Sequence, residues 1–172
     1  MPNYKIILEY NGAKFAGSQI QPNKRTVESE LRQVLNSFFG PQGSFQENPE
    51  IETIFSGRTD SGVHAFGQVL NFKLAQKLED LDNPYTILAA LNANLPEDMV
   101  ITKIQEVPDS FNARFDATAR EYLYKIFIRR HRPVLRLDSM AWHKEELDFD
   151  KMAAHAASYL GEHDFSAYAK LE

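Results

Sequence analysis

Residues 5–107 switch between two apolar periods in an order that few folds accommodate. Residues 5–10, KIILEY, read as a buried strand, and Asn11, Gly12 and Gly17 mark the loop after it. Thr26 stands as an N-cap, with Ser29 instead of Glu at the third position and Glu28 in the first turn. Val27, Leu31, Val34, Leu35 and Phe38 then recur at helical spacing until Gly40 ends the run. Residues 40–49, rich in Gly, Pro and polar side chains, predict a loop. Ile51, Thr53 and Phe55 alternate with Glu52, Ile54 and Ser56 as a strand, and residues 66–74 supply the next. Pro84 suits the first turn of a helix through Ile87, Leu88 and Leu91, and residues 99–107 form a last apolar strand. The order β-α-β-β-α-β is the split-βαβ arrangement: an α+β, ferredoxin-like unit whose four strands make an antiparallel sheet with both helices on one face. The opposite face then needs a cover.

That unit occupies residues 1–108. From Phe111 a second pattern begins, with a long strand through Tyr122, Tyr124, Ile126 and Ile128, a loop over 129–133, and a helix carrying Met152, His155, Ala156, Tyr159 and Leu160 and ending at Gly161. Residues 109–172 thus read as the opening of a second α+β unit that stops partway. Leu171 and Glu172 resemble what a cloning vector leaves ahead of a purification tag. A length of 172 residues with 43% hydrophobic content supplies a real core.

The chain has no cysteine, which excludes disulfides, a thiol nucleophile and cysteine zinc sites, and fits a reducing compartment. MPNYKIILEY has no signal- or transit-peptide character and no apolar run reaches membrane-spanning length, so a cytoplasmic location is expected. The net charge is -5, but residues 111–136 carry seven Lys and Arg against two Asp and Glu. Arg114, Arg120, Lys125, Arg129, Arg130, Arg132 and Arg136 are either a solvated strand and loop or an RNA-facing strip.

No P-loop, Rossmann fingerprint or zinc helix is present, and the histidines lack metal-ligand spacing, so no cofactor is expected. The chemistry concentrates in GRTDSGVHA, residues 57–65. Asp60 lies in a glycine-flanked connection between two strands, with Arg58 at i-2, where an extended chain aims both side chains the same way and allows a charge-assisted pair. An adjacent guanidinium keeps a carboxylate ionised when substrate excludes water, and an oriented carboxylate is a usable nucleophile. Gly57 and Gly62 would let backbone approach a bulky substrate. A plain turn, capped by Asp60 and braced by Arg58, uses the same residues.

The nonamer resembles the catalytic motif of the tRNA pseudouridine synthase family at all but its one variable position. EYNGAKFAGSQIQPNKRTVESEL, NANLPEDMVI, FNARFDATAREYLYKI and LGEHDFSAYAK are similar to further family blocks in the same order. The resemblance implies cofactor-free isomerisation of uridine to pseudouridine in the tRNA anticodon stem-loop, at positions 38–40, by a homodimer. It implies that Asp60 is the essential carboxylate, that Arg58 pairs with it and holds the place vacated by the flipped base, and that Tyr122 lies against the uracil. Tyr124 shares the parity of Tyr122 but does not align with the motif. Lys24, Arg25, His64, Arg114, Arg120 and Arg129 are the candidates for RNA-backbone contacts, His64 having a structural alternative. Two departures stand out: Gly17-Ser18-Gln19 replaces the family's usual Gly-Trp-Gln, and the family's chain continues for roughly another third. A chain of this extent is expected to be a poor enzyme alone, with an incomplete second sheet whose apolar edges favour self-association or instability. The rivals are a non-catalytic RNA-binding module of ferredoxin-like fold, which lacks the RNP1 aromatics here, and a carboxylate hydrolase acting on nucleosides, which lacks a partner acid or base in the loop.

Overall fold

Alternation in the first strand decides which side of the sheet becomes core. In the computed structural model, which describes residues 1–40, 51–75, 77–78, 87–135 and 137–168, strand β1 (Asn3–Tyr10) buries Tyr4, Ile6, Leu8 and Tyr10 on one face. It is flanked on both sides by antiparallel partners, β3 (Ala65–Lys73) and β4 (Met99–Val107), while β2 (Thr53–Phe55) pairs with the outer edge of β3. The spatial order β2-β3-β1-β4 with all pairs antiparallel is that of the expected split-βαβ sheet. The expected loop residues 41–49, Pro84, Arg136 and the terminal Leu171 and Glu172 lie outside the described residues.

Helix α1 (Val27–Phe39) closes the core over that face. Its start is a reciprocal box: Thr26 Oγ1 accepts from the Ser29 amide at 3.2 Å, and Ser29 Oγ accepts from the Thr26 amide at 3.0 Å, so serine fills the role usually taken by glutamate. Val27, Leu31 and Leu35 are fully buried, and each such side chain stabilises the fold by about 1.5–3 kcal/mol. Phe38, expected in the apolar stripe, is 40% exposed; the stripe instead ends on Phe39, which packs against the core. Helix α2 (Ile87–Asn94) buries Leu91 and is tied to β4 through Asn92, whose amide meets both the N–H and the C=O of Ile101 at 2.8 and 2.9 Å.

The chain leaving β4 crosses the opposite face of the sheet at one corner. Asn3 and Asn71 point to that face, are 1% exposed, and hydrogen-bond each other at 3.0 Å. Asn3 Nδ2 also donates to the carbonyls of Pro108 and Phe111, and Asn71 Oδ1 accepts the Ala113 amide at 2.8 Å. Residues 108–113 are thereby clasped to β1 and β3 by buried amides whose polar atoms have partners on the crossing chain. Lys73 adds an exposed ion pair to Asp109 at 2.6 Å.

At the other end of the sheet, Arg25 joins the loop before α1 to the start of β4. Its Nη1 and Nη2 reach both oxygens of Asp98 at 2.7 Å, its Nε reaches Glu30 at 3.0 Å, and the guanidinium lies 4.1 Å from the Phe15 ring centroid. The bond to Arg25 is the main cause holding the Asp98 carboxyl below the usual carboxylate range, against a smaller opposing effect of burial.

The chain divides into two compact units, Met1–Leu123 and Tyr124–Glu172. The second contains β5 (Ile126–Ile128) paired in parallel with β6 (Ala141–His143), and α3 (Phe149–Ala157), capped by Asp148. The long strand expected through Tyr122 and Tyr124 is realised only over β5, the one stretch with a ladder partner; residues 117–125 carry no regular structure. Similarly α3 ends at Ala157, before Tyr159 and Leu160, and none of its residues is buried, so no packing extends it toward Gly161. No helix among the described residues is long and apolar enough to cross a membrane.

Two outcomes test these ties. Asn71→Ala leaves the Ala113 amide and the Asn3 side-chain oxygen Oδ1 without a partner and is expected to cost roughly 2–4 kcal/mol in urea unfolding, with new protease sensitivity at 108–113. Asp98→Asn is expected to cost about 1–2 kcal/mol at neutral pH, the partly exposed ion pair being discounted for screening. Because the folded carboxyl ionises at lower pH than the unfolded one, the wild-type advantage is complete above the unfolded value of about 4 and disappears as pH falls through the lower, folded value. Urea titrations between neutral and strongly acid pH measure that narrowing.

Candidate active site

The connection from β2 to β3 lies against the loop that follows β1, backbone to backbone. Gly12 has no room for a side chain, since a Cβ there would stand 1.9 Å from the Val63 carbonyl oxygen. Gly17, at φ +117°, faces the Thr59 carbonyl at 3.0 Å from its would-be Cβ, a conformation and an approach that together require glycine. The Ser18 amide donates to Thr59 O at 2.9 Å, the Gly62 amide to Phe15 O at 3.3 Å, and Ser61 Oγ to Phe15 O at 3.2 Å. These contacts sew residues 59–62 onto residues 15–18.

Residues 57 and 59 are held from the sheet side, by bonds to the backbone of one and the side chain of the other. Gln68 Nε2 donates to Gly57 O at 2.8 Å and its Oε1 accepts from Ser56 Oγ at 2.9 Å. Tyr10 Oη meets Thr59 Oγ1 at 2.8 Å; burial pushes the Tyr10 phenol up, with the bonds to Thr59 and Gln68 opposing, so it stays protonated at neutral pH. Arg58 and Asp60, the intervening residues, are both exposed. Residues 57 and 59 are fastened to the fold, and residues 58 and 60 between and after them are open to solvent. The expected ion pair is not closed. Among the described residues no salt bridge joins Arg58 to Asp60; the turn that follows, with Val63 N bonded to Asp60 O at 3.2 Å, carries the chain away at Asp60.

A second segment reaches this loop through Arg120. Its Nε and Nη2 both donate to Ser56 O, Nη2 also donates to Arg114 O at 3.2 Å, and the Nε lies 3.1 Å from where a Gly57 Cβ would be. Two residues on, Tyr122 is 74% exposed.

The candidate RNA-contact residues separate into groups. Arg25 is engaged internally by Asp98 and Glu30, and Arg120 by main-chain oxygens. His64 is half-buried, its Nδ1 accepting the Gly12 amide at 3.2 Å. Lys24 and Arg114 are exposed, the latter 5.9 Å from the Phe115 ring centroid, and Arg129 is exposed within the second unit. Sequence reasoning passed over Tyr10, Thr59 and Gln68 as contributors to the site, and marked Ser18 only as a departure from the family pattern. Gln68 carried a signal, a polar residue inside an apolar strand; the others carried none that spacing reveals. Among the described residues no group of three or more His, Asp or Glu side chains is placed to hold a metal ion.

Comparison with known proteins follows the same residues. A family model described as tRNA pseudouridine synthase matches residues 6–116, which include β1 from Ile6 onward, α1 and the loop bearing Asp60. The tRNA pseudouridine synthase A of Geobacillus kaustophilus is 38% identical over 169 residues, covering 95% of this chain and 59% of that protein. Those of Bartonella quintana, 37% identical over 171 residues, and Xanthobacter autotrophicus, 40% identical over 175, cover 98% and 100% of this chain. The chain spans 59%, 64% and 66% of the length of these three relatives. With the family match running through the loop that presents Asp60 and the strands that fasten it, this chain belongs to the tRNA pseudouridine synthase family.

Proposed function

We propose that the protein carrying this chain converts uridine to pseudouridine in the anticodon stem-loop of tRNA, with Asp60 as the essential carboxylate. The observation that carries the reading is Asp60 itself: an exposed carboxylate next to Thr59, whose amide and carbonyl are both bonded to Ser18, inside the segment that the family model matches. A uridine stacked in a helix is out of reach of such a group, so the base turns out of the stack at a cost of a few kcal/mol. The N-glycosidic bond then breaks, the uracil rotates, and its C5 bonds to C1′ of the same ribose, with the C5 proton released. Asp60 acts on the ribose or the uracil at this step; a fixed backbone lowers the cost of bringing its oxygen to the reacting atom. Arg58, exposed beside it and not paired with it, is free to enter the space the base leaves. Tyr122, exposed on the segment that Arg120 anchors at Ser56, supplies the face against which the uracil lies.

In this reading residues 1–108 are the half that carries Asp60 and residues 109–172 open a second, related half. Lys24, Arg114 and Arg129 hold the tRNA backbone, while Arg25, Arg120 and His64 brace the site. The intact protein works as a cytoplasmic homodimer.

In full-length protein, Asp60→Ala and Asp60→Asn are expected to retain tRNA binding and to lower tritium release from tRNA labelled at uracil C5 by at least about three orders of magnitude. Tritium release from either variant near the wild-type rate refutes the role of Asp60. A wild-type protein that binds tRNA and releases none refutes catalysis in favour of an RNA-binding module.

A further inference from the structure

Ser18 lies outside the GRTDSGVHA stretch, yet its side chain is completely buried against it. The Ser18 hydroxyl oxygen accepts the Thr59 amide hydrogen at 2.8 Å and donates back to the Thr59 carbonyl at 3.4 Å, an oxygen that also takes the Ser18 amide at 2.9 Å. One hydroxyl thus meets both main-chain polar groups of the residue that precedes Asp60. A hydroxyl can do this because it combines a donor with acceptor lone pairs; an indole, at the place where the resembled family has tryptophan, offers a donor only and leaves the Thr59 amide without this acceptor.

We propose that Ser18 is a positioning residue for Asp60: its hydroxyl locks the Thr59 backbone, so that the exposed carboxylate moves only about its own side-chain torsions. The geometry assigns this role to the side chain and not only to the loop. The Gly17 conformation brings Ser18 to Thr59, but among the bonds of the described residues the Thr59 amide donates to Ser18 Oγ alone. Tyr10 holds the same residue from the sheet side by its side-chain hydroxyl, leaving the amide untouched. Losing the Ser18 oxygen therefore frees the Thr59 amide, while the Thr59 carbonyl keeps the main-chain amide of residue 18 and Thr59 Oγ1 keeps Tyr10. The catalytic consequence rests on the reading of Asp60 as the reactive carboxylate, whereas the lock itself does not.

Ser18→Ala removes one oxygen, adds no bulk, and tests both parts. Hydrogen–deuterium exchange on this chain is expected to show the Thr59 amide exchanging at least about tenfold faster in the variant, with the amides of α1 unchanged. In full-length protein the same substitution is expected to lower kcat for tritium release about ten- to hundredfold with KM for tRNA within about twofold, the pattern of a displaced reacting group and not of lost binding. An unchanged Thr59 exchange rate overturns the lock. Faster exchange with unchanged kcat overturns the positioning role. A rise in KM with kcat preserved overturns it too, by assigning Ser18 to tRNA binding. If the wild-type protein makes no pseudouridine, the functional reading falls and takes the positioning role with it, while the exchange result still decides the lock. Tyr10→Phe is the control: it removes the bond to the Thr59 side chain and is expected to leave the Thr59 amide as slow as in wild type.

Discussion

A strand with a partner on each side has little freedom once one of its faces is buried. β1 is in that position: Tyr4, Ile6 and Leu8 are fully enclosed beneath α1 and α2, and a slip of one residue against β3 or β4 would turn them to the other face and bring Lys5 and Glu9 into the core. The register so imposed places Tyr10 at the end of the strand, beneath the loop that presents Asp60, and Asn3 at the opposite end, beneath the crossing chain. Both features that matter for function are therefore set by the packing of a single strand.

The loop itself follows a different logic, because a turn has no apolar face to bury. Its geometry is set by main-chain groups meeting main-chain groups, with Gly12 and Gly17 allowing the approach. Polar side chains that are buried and satisfied, Gln68 and Ser18, finish the work. Such contacts are directional, and their cost when unmade is larger than their net gain when made. The arrangement is consequently stiff where it touches the sheet and open where Arg58 and Asp60 leave it.

The first unit was legible because its signals are periodic. The order and identity of its elements follow from alternation and helical spacing, Thr26 and Ser29 announce the start of α1, and β4 begins and ends where its apolar run does. Phe38 misleads because two adjacent phenylalanines both lie near the margin of the stripe, and only packing selects Phe39. Tyr122 and Tyr124 mislead because they continue the alternation of Ile126 and Ile128 and so satisfy the pattern of a strand without supplying the neighbour a strand needs. Asp60 and Arg58 stood out by the chemistry of their glycine-flanked loop and Tyr122 by motif resemblance alone; all three are exposed. What supports them was hidden, since a hydrogen bond from Tyr10 to Thr59 or from Ser18 to Thr59 spans more than forty residues and leaves no trace in spacing. The split-βαβ order already called for a cover on the opposite face, and Asn71, a polar residue inside the run Val69-Leu70-Asn71-Phe72, is where the structure attaches one.

Arg120 grips carbonyl oxygens of residues 56 and 114, not their side chains. Every amino acid supplies that oxygen, so neither position is chemically constrained by the grip, and drift at 56 or 114 leaves it intact. The guanidinium has no equivalent substitute: lysine reaches as far but cannot present the planar fork that spans two acceptors. Evolutionary tolerance across this contact is therefore lopsided, resting on one irreplaceable partner and two interchangeable ones.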